Sequence, residues 1–193
     1  MWQGLNPGWW PVVPWIVALA GSLFGAATDI RSRRIPNKLT GPMLAAGLLC
    51  QAIFAGWPGL GGGAAGMVLL AVPFLVFYAF GGGGAGDVKL MAAIGAWLGP
   101  KAGLGVLAAV LLWGGVLGIG YALLKKQLRS VARSIFVMLA NLVVGAAAGT
   151  RPQPSPEEKP VEGEKSLRMP YGLAIFLGVC SAAWLAYRNI SFW

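Results

Sequence analysis

The sequence predicts an all-α, polytopic membrane protein with about six transmembrane helices and an additional interfacial helix. Three observations carry this expectation. Hydrophobic residues make up 57% of the 193-residue chain against 11% charged, with mean hydropathy +0.70, outside the range of a soluble globular domain. The apolar runs are Leu/Ala/Gly-rich and too long and unalternating for barrel strands, and lipid requires backbone polar groups to be paired within each segment, which leaves helices. The basic residues, which give a net charge of +9, fall in short clusters between those runs. That pattern orients a membrane protein and argues against a nucleic-acid partner.

Taken in order, residues 1–10 carry no charge, and Trp2, Trp9 and Trp10 form an interfacial aromatic belt before a first span over 9–28. No basic region precedes that span, so it reads as an uncleaved helix. Gly21 and Gly25 predict close helix packing on it. The span ends at Asp29, followed by a basic loop with Arg31, Arg33, Arg34 and Lys38. Ile35 precedes Pro36 and is disfavoured in the helical region; Asn37 is placed as the N-cap of a second span over 38–55. Gly56-Trp57-Pro58-Gly59 turns the chain, and a third span covers 62–80 with the small pair Gly62 and Gly66. A glycine run, Gly81 to Gly86, then leads into Asp87.

The next apolar run, Val88 to Leu98, stops at Gly99-Pro100 and at about 1.5 Å per residue falls far short of a ~30 Å hydrocarbon core. Asp87 is therefore expected near or inside the membrane boundary, where irregular backbone is tolerated only against protein or a water-filled cavity. A fifth span over 103–124 ends at Lys125-Lys126, and a last span begins at Pro170-Tyr171-Gly172 and ends near Arg188, with proline suited to a helix start. Residues 150–168 read as a flexible polar loop. The chain, 1–193, is read as a single domain.

Charge counting decides the segment 134–149. If it does not cross, 13 of the 15 basic residues lie on one side of the membrane; if it crosses, the division becomes 9 against 6. The positive-inside tendency selects six spans, an interfacial helix at 134–149 and a cytoplasmic 150–168 loop.

The acids then stand out. Glu157, Glu158, Glu162 and Glu164 all sit in the polar loop, so Asp29 and Asp87 are the only carboxylates in the apolar body. The six-span topology puts both at inner helix ends, on one face, at one depth. Histidine is absent, and Cys50 and Cys180 stand singly in apolar segments, which excludes Cys/His metal sites and Ser/His or Cys/His nucleophiles. No cofactor is expected. Two aspartates sharing a site cannot both ionise cheaply, so the pair divides into general acid and general base and can activate water against an amide carbonyl. Gly84 and Gly86 would let an extended substrate approach Asp87, and Lys89 and the arginine cluster would favour one ionised carboxylate.

Blander readings exist for each acid alone: Asp87 as an N-cap, Asp29 as an interfacial ion pair. Taken together, two scarce carboxylates in an apolar body, each costly there, point to function. The G-x-G-x-x-G at Gly81, Gly83 and Gly86 follows no strand and is not a nucleotide loop. The competing class is a non-enzymatic membrane protein, a small proton-coupled transporter or an assembly scaffold.

Gly84-Ala85-Gly86-Asp87-Val88-Lys89-Leu90 resembles the G-x-G-D signature of the type IV prepilin peptidases, intramembrane aspartic proteases of bacterial inner membranes. Asp29 with Arg33-Arg34-Ile35-Pro36-Asn37 resembles the family's first-aspartate motif, and Met169-Pro170-Tyr171-Gly172 its Pro-aromatic-Gly element. The resemblance implies catalysis by Asp29 and Asp87 and cleavage of the basic leader of prepilins or pseudopilins after a glycine, at a site facing the cytoplasm. On it, Gly84, Gly86, Lys89, Pro36 and Asn37 are assigned to substrate positioning. Bifunctional members carry an additional N-terminal region with cysteine pairs and also N-methylate the product. Neither feature appears in this sequence, so peptidase activity alone is expected, as in the short branch serving Flp-type pili.

Overall fold

The computed structural model describes residues 12–32, 34–79, 83–124 and 171–188. Four helices occur in that part: α1 (Val13–Ser32), α2 (Asn37–Ala79), α3 (Ala85–Leu124) and α4 (Gly172–Tyr187). No strand occurs among the described residues. The Trp2, Trp9 and Trp10 belt, the 134–149 helix and the 150–168 loop lie outside them.

α2 and α3 are each two helices joined at one glycine. Gly56 has φ 64° and ψ −153°, Gly99 φ 70° and ψ −177°, a region that L side chains rarely enter. Pro58 and Pro100 follow within the first turn of the next arm, where a missing N–H costs nothing. The chain reverses at Gly56: along a continuous helix Leu48 and Gly63 would stand about 22 Å apart. Instead Leu48 Cδ2 lies 3.3 Å from where a Gly63 Cβ would be. The arms 37–55, 57–79, 85–98 and 100–124, with α1 and α4, make six apolar helical segments among the described residues, the number expected. The turn at 56–59 is tighter than expected, since the break is a single residue.

Large apolar side chains, among them Leu49, Ile53, Leu104, Leu112 and Trp57, point outward around the bundle, as a lipid solvent requires. α1, α2 and α3 are long and apolar enough to cross a membrane. The short arm 85–98 is the centre. Residues 90–97 are all buried, and Leu90, Met91, Ile94 and Trp97 belong to the core. A helix apolar all round can sit in a protein core or in lipid, and here protein surrounds it. That encloses the short arm without requiring it to span the full hydrocarbon thickness.

Small residues admit this close packing. Gly66 and Gly95 touch backbone to backbone, Gly47 faces the Trp97 ring, and a Cβ on Gly103 would meet Leu70. The small pair used on the second arm of α2 is Gly63 and Gly66, whereas a Cβ at Gly62 would meet nothing within 4 Å. Polar groups are paired across the same contacts: Trp97 Nε1 donates to the Met43 carbonyl (2.8 Å) and Gln51 Nε2 to the Trp97 carbonyl (2.9 Å). Trp113 Nε1 donates to Ser181 Oγ at 2.8 Å, joining α3 to α4.

Candidate active site

Asp29 lies inside α1, in its last turn, because the helix runs on to Ser32 instead of ending at 28. Hydroxyls in this turn bond back onto the helix: Thr28 Oγ1 donates to the carbonyls of Phe24 and Gly25, and Ser32 Oγ to that of Thr28. Residues 34–36 are non-helical, as the Ile35-Pro36 step predicted. Asn37 is not the N-cap of α2. The Pro36 carbonyl accepts the N–H groups of Leu39 (3.0 Å) and Thr40 (3.4 Å), which leaves Asn37 as the first helical residue. Its Oδ1 accepts a hydrogen bond from Lys89 Nζ at 2.8 Å, tying the 34–36 linker to the start of α3.

Asp87 likewise sits in the first turn of α3 and not ahead of it. Gly84 occupies the cap position: its carbonyl accepts the Asp87 N–H at 3.1 Å, and its N–H donates to Asp87 Oδ2 at 3.2 Å. The second bond is the N3 half of a capping box, with Asp in the place usually held by Glu; the first is a backbone turn, since glycine has no side chain to complete the box. Asp87 is the only charged residue buried among the described residues, 8% exposed.

Packing brings the two acids to one end of the bundle. Gly25 meets Leu90: a Cβ there would lie 2.8 Å from Leu90 Cδ2. Asp29 is four residues beyond Gly25 and Asp87 three before Leu90, so each acid stands one turn from that contact on the same helix face. The carboxyl groups lie within electrostatic reach of one another. Asp29 Oδ2 also accepts the backbone N–H of Gly172, at the start of α4, at 2.9 Å.

The positioning glycines divide. Gly86 is packed against the linker, where a Cβ would stand 2.9 Å from Ile35 Cβ, while Gly84 is exposed. Lys89 and Asn37 are exposed at the same end. Sequence reasoning did not anticipate the Gly172 contact. Nor did it find Phe74 and Phe77, which hold the Tyr171 ring with centroids 5.8 and 6.2 Å away. Pro-Tyr-Gly marked the start of α4 without saying what its groups touch, and two phenylalanines in an apolar run carry no signal of their own.

Comparison with known proteins identifies the family. Residues 16–149, which include both aspartates, match the type IV leader peptidase family. The chain is 34% identical over 137 residues to a protein of Aeromonas salmonicida named prepilin leader peptidase/N-methyltransferase, covering 65% of this chain and 45% of that one. It is 37% identical over 111 residues to a Bacillus subtilis protein of the same name, covering 56% and 42% respectively. The chain therefore spans less than half the length of these curated relatives. No solved structure matches it. With the match extending over most of the chain, this protein belongs to the type IV leader peptidase family.

Proposed function

We propose that the protein is an aspartic endopeptidase of the bacterial inner membrane that removes the basic leader of type IV prepilins or pseudopilins by cutting after a glycine. What supports this reading is that Asp29 and Asp87, the only carboxylates of the apolar body, lie at one end of the bundle within electrostatic reach of each other. A water held between them loses a proton to the ionised carboxylate as its oxygen bonds to the scissile carbonyl carbon. The protonated carboxyl donates to the carbonyl oxygen. Collapse of the tetrahedral intermediate then breaks the C–N bond: the leaving amine takes up the proton held by the first carboxyl group, and a hydroxyl proton of the intermediate returns to the second as the new carboxylic acid forms.

Gly84, exposed beside Asp87, leaves room for a substrate backbone, and Pro36, Asn37 and Lys89 edge the same end. The basic loop after α1 supports a cytoplasmic position for this end. The relatives are named for N-methyltransferase activity as well. For this chain we infer peptidase activity alone, as in the Flp-type branch, because Cys50 and Cys180 stand singly as free thiols.

The test is cleavage of a prepilin in membranes, with the new N-terminus identified by mass spectrometry. Asp29→Asn and Asp87→Asn each abolish cleavage while the protein remains inserted and folded; substantial cleavage by either sinks the dyad. A product bearing an N-methyl group overturns the peptidase-only assignment.

A further inference from the structure

We propose that Tyr171 and Gly172 are positioning residues, a clamp at the start of α4 that holds Asp29 and sets its separation from Asp87. The inference deepens the peptidase reading and rests on it. The two residues are adjacent but fastened to opposite sides of the site.

Gly172 is fastened to α1. Its N–H donates to Asp29 Oδ2 at 2.9 Å. A Cβ at Gly172 would lie 3.0 Å from Asp29 Cβ and 3.1 Å from both Asp29 Oδ2 and Ala26 Cα. Only a residue without a side chain brings the start of α4 near enough to α1 for that hydrogen bond to form without displacing the carboxylate.

Tyr171 is fastened to α2 and α3. Its ring packs edge-on to Phe74 (74° between planes) and tilted against Phe77, both on the second arm of α2. Its hydroxyl end lies against Gly114 on the second arm of α3, in space a Cβ would fill. Through Gly66 and Leu70 these arms pack on one another and on the arm 85–98, which carries Asp87 in its first turn. Tyr171 is also within electrostatic reach of Asp87.

A single peptide unit thus links the framework of one aspartate to the carboxylate of the other. α1 packs more on α4 than on α2, so the place of Asp29 depends on where α4 begins. A tyrosine that only filled space between helix ends would contribute to stability; a clamp contributes to the geometry of the reacting groups.

The experiment uses the full chain in liposomes with a prepilin-type leader substrate. Gly172→Ala and Tyr171→Ala are expected to lower kcat about 10- to 100-fold, the range for a misplaced catalytic group, with KM held within about twofold. The Gly172→Ala change also displaces the pH–rate profile, because an N–H partner of a carboxylate has moved. Tyr171→Phe keeps the ring contacts with Phe74 and Phe77 and is expected to recover most of the kcat that Tyr171→Ala loses.

A second measurement needs no cleavage: thiol labelling of an Asp87→Cys variant carrying Cys50→Ser and Cys180→Ser. Adding Tyr171→Ala is expected to raise the labelling rate several-fold, and adding Tyr171→Phe to leave it unchanged. Failure of the wild-type chain to cut any leader would defeat the peptidase reading, and the labelling rates would still decide the clamp. The clamp is overturned by unaltered kcat in Gly172→Ala, by a loss confined to KM, or by labelling that Tyr171→Ala does not change.

Discussion

Asp29 and Asp87, supplied by the end of α1 and the start of α3, lie within electrostatic reach of each other because Gly25 seats against Leu90 one turn away. The contact is between a glycine and a flexible side chain, so the aspartate separation responds to residue size at position 25 in a graded way.

Gly25→Ala is expected to leave cleavage within a few-fold of wild type, since the Cβ meets only the mobile Cδ2 end of Leu90. Gly25→Leu exceeds what Leu90 can yield and moves α1 away from α3, with a loss of about 10²-fold or more in kcat, as expected for reacting groups displaced by about 1 Å. Helical content by circular dichroism stays constant in both. Equal activity of the two variants would show that this contact does not set the site.

The pH dependence follows from the shared site. At low pH both carboxyl groups are protonated and no base remains; at high pH both are ionised and no acid remains. kcat/KM is therefore expected to be bell-shaped, its two limbs belonging to the pair and not to either residue. A profile with one limb across the range in which the protein stays folded would contradict a two-carboxyl mechanism.

Gly99 tests the backbone apart from packing. Its φ of 70° disfavours a side chain, yet a Cβ there would meet only the Gly62 carbonyl at 3.9 Å. Gly99→Ala should cost about 1–3 kcal/mol through conformation alone. Thermal unfolding in detergent measures this, with Gly61→Ala, which meets nothing within 4 Å, as the control. Equal melting of the two variants would remove the strained turn from the account.

Topology is open to a chemical test. With six spans the loop 150–168 is cytoplasmic, so Ser155→Cys, in a Cys50→Ser, Cys180→Ser background, stays unlabelled by an impermeant thiol reagent added outside intact cells. Labelling there before lysis would place a seventh crossing between Leu124 and that loop.

Composition alone determined the solvent, the helical class and the succession of apolar segments, because hydropathy and the Gly/Pro breaks are local properties of the chain. Scarcity singled out Asp29 and Asp87 for the same reason: an ionisable group in an apolar body is conspicuous without any neighbour being known. Gly21 and Gly25 were legible as a packing face, but not Leu90 as the partner of Gly25. Only the tertiary structure decided that partner, the Gly172 N–H on Asp29, the aromatic seat of Tyr171 and the filling of Gly86 by Ile35. It also set both aspartates inside their helices, since α1 runs on to Ser32 and α3 starts ahead of Asp87, whose carboxylate accepts the Gly84 N–H. Each of these depends on which residues meet across helices or at helix ends, and the Asp29–Gly172 bond, 143 residues apart in sequence, leaves no local trace in either segment.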